Sequence, residues 1–222
     1  MKIDFKQISN FKGKSGFTLA EVLITLGIIG VVAAMTLPVL VQKYQEHVLI
    51  NQLKRVYSVL SQTVQQLNYE YDGNWDISPD QLFDDMTEKI NAIQLCKWKP
   101  GCFESSPVQY LTGGSAGDWN ALNKYKFVMN TGEFVLFNTI TPELIEIDGY
   151  TVAPKFIITV DINGIKKPNR FGKDIFQLGI RDGALVPSGI DTKSEKCKIA
   201  RQGFGYDCAW QVLTEGKFPK TR

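Results

Sequence analysis

From Phe17 to Val41 the chain is apolar at almost every position, and Glu21 is the one ionisable residue in the run. About 25 such residues reach across a hydrocarbon core of roughly 30 Å at 1.5 Å per residue, so the run predicts a membrane-spanning helix over 17–41. Gly27 and Gly30 permit close helix approach. Pro38 removes one backbone hydrogen bond and predicts a kink. Beyond Val41 the pattern turns amphipathic. Leu53, Val56, Tyr57, Leu60, Val64, Leu67 and Tyr71 recur at spacings of three and four among polar residues, the period of a helix with one apolar stripe. The two patterns read as one helix from 17 to 71, about 80 Å long, with 42–71 as its amphipathic continuation. Asp72-Gly73-Asn74 supplies left-handed stop residues. Something must cover the stripe, and 72–222, read as a globular domain, is the candidate within the chain.

The remaining pattern predicts a short helix and then a small sheet. Ser78-Pro79-Asp80-Gln81 is a capping box with proline in the first turn, and Leu82, Phe83, Met86, Ile90 and Ile93 give the following helix an apolar face, ending near Gln94. Cys96 to Cys102 reads as a tight closed loop, and 104–120, rich in Gly, Ser and Pro, as irregular surface chain. Period-two alternation then marks strands: Tyr125, Phe127 and Met129; Phe134 and Leu136; 156–162; and 175–181. Thr131-Gly132 and Asp182-Gly183 are hairpin turns, the second leading into a strand at 184–186. A further short strand is expected within 143–152. Asp207 is the expected cap of a last helix, 208–215, stopped by Gly216. The expected fold class is α+β, a long N-terminal helix packed on a small antiparallel sheet.

Composition and charge narrow the function. The 222 residues are 44% hydrophobic and 11% aromatic, which suits a folded domain beside a membrane segment. The net charge is +2, and residues 1–16, a polar leader without periodicity, carry Lys2, Lys6, Lys12 and Lys14 against Asp4; without that +3 the chain stands at −1. A near-neutral body gives no electrostatic argument for nucleic acid. Lysines immediately before the span place the leader in the cytoplasm and the body outside. The four cysteines, Cys96, Cys102, Cys197 and Cys208, all follow the span. An even number in an exported domain reads as disulfides. The four allow three pairings; the local ones, Cys96 with Cys102 and Cys197 with Cys208, close the shortest loops. A zinc site would want closer cysteine spacing or histidines, and neither is present.

The segment KSGFTLAEVLITLGIIGVVAAMTLP, Lys14 to Pro38, resembles the N-terminal processing and methylation segment of type IV pilins and type II secretion pseudopilins. The likeness lies in a small residue, Gly16, before an aromatic one, Phe17, with Glu21 at the fifth position from it and a late proline at Pro38. The resemblance implies a leader cut after Gly16 by prepilin peptidase, methylation of the new Phe17 amine, and assembly into a filament through Glu21, within a pilin-like fold. It implies as partners copies of the chain or related pilins, prepilin peptidase, an inner-membrane assembly platform and membrane lipid. The location it implies is the bacterial inner membrane, single-pass, and then a pilus or pseudopilus. It does not choose between pilus, secretion pseudopilus and DNA-uptake filament. It stops near Pro38.

Other chemistry is thin. His47 is the single histidine, so no serine or cysteine has a histidine-assisted route to nucleophilic attack. Asp84-Asp85 lies on a helix whose polar face needs charge anyway. No catalysis, metal or cofactor is expected. Asp161-x-Asn163-Gly164, with Asn169 and Asp174 beyond, looks like the start of a calcium loop, and pseudopilins and pilins sometimes hold calcium in this part of the domain. An EF-hand would place glutamate at the twelfth position, where Gly172 stands, so the sequence reads here as two turns, at Asn163-Gly164 and Pro168-Asn169. Two rival functions remain. One is a membrane-anchored extracytoplasmic binding protein. The other is a secreted protein cut after Val32-Ala33-Ala34, against which Glu21 argues, because a carboxylate is wasteful in the apolar core of a signal.

Overall fold

The structure, a computed structural model, describes residues 16–103, 107–119, 121, 124–139, 154–164, 166–192, 197 and 204–219. Most of the leader and the expected strand at 143–152 lie outside the described residues. The chain divides into two compact units, Met1–Gln45 and Glu46–Arg222.

Helix α1 runs Leu19–Glu70, through Pro38 without interruption of its assigned span. In the first unit its large apolar side chains, from Leu19 through Val41, are exposed, as is Phe17 before it. Among the described residues α1 is the one helix long and apolar enough to cross a membrane, judged by length and composition.

In the second unit the burial of α1 follows its sequence period. Ile50, Leu53, Val56, Leu60, Thr63, Val64 and Leu67 are buried along one stripe, and Tyr57 and Tyr71 pack at its edge. The helix stops where Asp72 and Gly73 adopt left-handed φ of 50° and 74°. Helix α2, Pro79–Ile90, starts on Ser78, whose Oγ accepts the Gln81 amide at 3.1 Å. It ends earlier than the apolar pattern predicts. Asn91 turns left-handed at φ 52°, and the amides of Asn91 and Ala92 close the helix on the Glu88 and Thr87 carbonyls. Ile93 is left exposed, and the chain pairs at once as strand β1, Gln94–Lys97. The first two residues of the expected Cys96–Cys102 loop, Cys96 and Lys97, are therefore sheet.

Strands β4 (Tyr125–Val128), β5 (Phe134–Thr139), β6 (Phe156–Asp161), β7 (Ile175–Arg181) and β8 (Ala184–Pro187) join β1 in one antiparallel sheet of order β1-β4-β5-β6-β7-β8. Asp182 and Gly183 turn at φ of 51° and 74°, the two positive angles that a tight hairpin between β7 and β8 requires. One face of the sheet carries Phe127, Val135, Phe137, Ile158, Val160, Leu178 and Ile180, and packs with the α1 stripe, with Phe83 and Met86 of α2, and with Ala209 and Val212 of α3, Cys208–Glu215. The other face is not polar, as the simple alternation would have it. Phe134, Leu136 and Ile175 pack there with Phe103, Val108, Trp119 and Phe171 as a second core. The segment expected to be irregular surface thus contributes strands β2, Val108–Gln109, and β3, Ser115–Gly117, and buries Val108, Leu111 and Trp119. Helix α3 also departs from expectation at its start: Asp207 precedes it but makes no side-chain capping bond. Gly216, at φ 62°, closes it on the Val212 carbonyl as predicted.

Candidate functional site

The N-terminus of α1 is built by three residues of the first turn. Thr18 stands before the first helical residue, and its Oγ1 accepts the Glu21 amide at 3.2 Å. Glu21 reaches back: its Oε2 accepts from the Thr18 backbone amide at 2.7 Å and from the Thr18 hydroxyl at 2.8 Å. This is a reciprocal capping box, which satisfies amides that the helix itself leaves without partners. A carboxylate in the first turn also faces the positive end of the helix dipole. Gly16 and Phe17 precede it, both exposed, and no heavy atom lies within 4 Å of where a Gly16 Cβ would stand. Gly16 and Phe17 are therefore open on the surface of the chain, one turn away from Glu21.

Thr18 was not singled out from the sequence, although Thr18-Leu19-Ala20-Glu21 carries the threonine-to-glutamate spacing of a capping box. The signal was masked by the apolar run around it, which draws attention to Glu21 as an isolated charge. In its own chain Glu21 is not isolated; it is the second half of a cap.

Away from this end, the other residues weighed for chemistry are scattered. His47 is exposed on α1. Asp84 is exposed and pairs with Lys97, while Asp85 accepts from the Tyr71 hydroxyl. Burial first, and then that hydrogen bond and the Asp85 charge, push the Tyr71 hydroxyl far up from the usual phenol range. Cys96 is bonded to Cys102, and Cys197 to Cys208 at the head of α3. Asp207 lies within 4.8 Å of the latter pair, but two sulfurs in a disulfide offer no thiolate to a metal.

Asp161, Asn163, Asn169 and Asp174 are brought together by the connection between β6 and β7. Asp174 is fully buried and well supplied with donors: Oδ2 accepts from the Asn169 amide at 2.8 Å and from Asn163 Nδ2 at 3.2 Å, and Oδ1 from the Arg170 amide at 2.6 Å. Asp161 is fully buried as well, and its Oδ1 accepts the Asn163 amide at 3.2 Å. Burial, followed by the charge of Asp174, pushes the Asp161 carboxyl well above the usual range. Burial also raises Asp174, against the opposing pull of its amide donors.

Residues 11–37 match the family model described as the prokaryotic N-terminal methylation motif, the signature of type IV pilins and pseudopilins. No curated protein and no solved structure matches the chain.

Proposed function

We propose that this chain, which carries the signature of type IV pilins and pseudopilins, is a structural subunit of a type IV pilus-like or type II secretion pseudopilus filament. The observation that carries the reading is the order Gly16, Phe17, Glu21 at the head of an apolar helix whose side chains are exposed within their own unit. The role is structural rather than enzymatic. Residues 1–16 are the leader, 17–41 the membrane helix, 42–71 its amphipathic continuation and 72–222 the exported domain. Prepilin peptidase cuts after Gly16, and Phe17 becomes the methylated N-terminus. The leader is cytoplasmic and the domain extracytoplasmic, so the subunit waits in the inner membrane, surrounded by lipid, before the assembly platform moves it into the filament.

Glu21 is the assembly residue. A carboxylate unpaired near the bilayer interior costs several kcal/mol. In the waiting subunit the Thr18 amide and hydroxyl cover part of that cost. In the filament the charged Phe17 amine of a neighbour takes over, and it does so only when the two subunits are in register. Packing of the 17–41 helices supplies most of the affinity, and the charge pair supplies the register.

The experiment is mass spectrometry of the N-terminal peptide from a membrane fraction of a host that carries prepilin peptidase. The expected product starts at Phe17 and carries one methyl group, and Gly16→Leu is expected to abolish the cut, because the peptidase must approach that backbone closely. A wild-type product starting at Met1 would favour the membrane-anchored binding protein, and one starting at Met35 a secreted protein.

A further inference from the structure

Strand β1 stands at one edge of the sheet and β8 at the other, and the two edges are finished differently. The β8 edge is met by helices. The Tyr57 hydroxyl of α1 donates to the Leu185 carbonyl at 3.0 Å, the strand ends on Pro187, and the Trp210 amide of α3 donates to the Ser188 carbonyl at 2.9 Å. Among the described residues no hydrogen bond reaches the outer edge of β1. Its inner edge is set by the ladder: Lys97 stands opposite Tyr125, and the Trp98 amide donates to the Lys124 carbonyl at 3.2 Å. The alternation of an antiparallel pair then turns the N–H and C=O groups of Leu95 and Lys97 outward. Edges of this kind are ordinarily blunted by charge, proline or cover, because they template pairing with another chain.

The side chains along β1 do not blunt it. Ile93 is 67% exposed, Leu95 48% and Trp98 58%. Trp98, at φ 54°, leaves the strand and rests its ring on Tyr125, with centroids 5.0 Å apart. The one lysine of the strand is drawn away from the edge: Lys97 Nζ lies 2.8 Å from Asp80 and 3.0 Å from Asp84, and 5.8 Å over the Phe83 ring. Asp80, Asp84 and Glu88 are exposed and recur every four residues, which makes them one row of α2. The bonds from Lys97 show that this row borders β1. Lys97 offsets one of the three charges, and Lys89, the cation of α2, is held by Glu70 of α1 at 2.6 Å. The open edge is therefore apolar along the strand and acidic beside it.

These features select the occupant. Outward amides and carbonyls at alternate positions are matched by an extended backbone. A second copy of β1 is a poor match, because antiparallel pairing sets the two α2 rows facing each other across the joint, carboxylate against carboxylate. A strand with long cationic side chains fits both parts of the surface: the aliphatic stems cover Leu95 and the charged heads reach Asp84 and Glu88. We propose that β1 accepts an extended segment of another polypeptide, with lysine or arginine at every second position, as an added strand of the sheet. The main-chain bonds supply most of the affinity, and the acidic row selects the sequence. This surface lies wholly in the second unit, apart from the Gly16–Glu21 end, and takes a partner that filament assembly does not require.

The test uses the full chain in zwitterionic detergent and a synthetic peptide alternating threonine and lysine. Saturable binding is expected, with amide exchange in 93–98 slowed at least tenfold when the peptide is bound. The same peptide with glutamate in place of lysine is expected to bind at least tenfold more weakly. So is a peptide N-methylated at its central amides, which keeps the charge and loses the strand donors. Glu88→Lys, a change at an exposed position, is expected to leave Tm unchanged and to weaken binding of the lysine peptide about threefold. Absence of saturable binding up to about 1 mM peptide would overturn the proposal. Equal binding of the N-methylated peptide, or binding that leaves exchange in 93–98 unchanged, would overturn it in favour of non-specific attraction to acidic groups. Protection of 93–98 that grows with protein concentration in the absence of peptide would overturn it in favour of pairing between copies.

Discussion

Glu133 is 2% exposed and carries a carboxylate into the space between β5 and α1. Its partners are the Arg55 guanidinium, from α1, and the Thr131 hydroxyl, from the turn before β5. The pair ties the helix to the β4–β5 hairpin. Breaking a buried pair by removing one partner leaves an uncompensated charge and costs roughly 3–5 kcal/mol. Arg55 is 46% exposed, however, so water screens part of the interaction, and about 2 kcal/mol is the expectation for Arg55→Ala. Urea unfolding of the variant should show a lower midpoint at unchanged slope. An unchanged midpoint would mean that solvent already satisfies Glu133. Gly164 shows a different residue-scale constraint. At φ +67° it sits so that a Cβ would lie 2.4 Å from the Gly132 carbonyl oxygen, so the turn that begins the β6–β7 connection is pressed against the β4–β5 turn and only glycine fits.

At the scale of elements, the readings that followed from periodicity fared differently from those that followed from composition. The stripe on α1 was legible because spacings of three and four persist over several turns, and Leu53, Val56, Leu60, Val64 and Leu67 are the residues buried. The end of α2 was not legible. Ile93 continues the apolar pattern, but Asn91 turns left-handed and pairing with β4 takes the chain first: the Ile93 amide bonds the Val128 carbonyl at 3.0 Å. Strands β2 and β3 escape the pattern because they are only two and three residues long within a stretch rich in glycine, serine and proline, although Val108, Leu111 and Trp119 there are buried. The disulfides act on elements too. Cys96–Cys102 pins the end of β1 to the chain that enters the second core, and Cys197–Cys208 pins the preceding segment to α3. Their loops span 6 and 11 residues, for which chain entropy gives about 2 and about 3 kcal/mol. Replacing each pair by serines should lower unfolding free energy by about those amounts and in that order. Non-reducing peptide mapping checks the pairing itself, and a Cys96–Cys197 peptide would contradict it.

At the scale of the molecule, the sequence conveys the division of labour between a membrane-length helix and an α+β domain, because one unbroken apolar run and one amphipathic stripe differ so plainly. What it conceals is the second covered face of the sheet. Phe134 and Leu136 alternate as a half-exposed strand would, yet their neighbours Val135 and Phe137 are also buried, so the strand is apolar on both sides and its second face needs a cover that local pattern does not announce. The candidate site divides in the same way. Gly16, Phe17 and Glu21 stand out by their positions along the chain, whereas Thr18 gains its meaning only when the first turn closes and brings its hydroxyl to Glu21. With the first turn closed, Glu21 has two roles to separate: capping its own helix and pairing with a neighbour. Glu21→Gln keeps an oxygen that accepts from the Thr18 amide, while Glu21→Ala removes that half of the cap as well as the charge. The decisive measurement is filament yield, by immunoblot of sheared material, from each variant expressed as the sole copy in a host with the assembly machinery. Both variants are expected to be processed and inserted at wild-type levels, and both to fail to assemble normally. Wild-type filament yield from Glu21→Gln would contradict it, since the charge would then have no part in assembly.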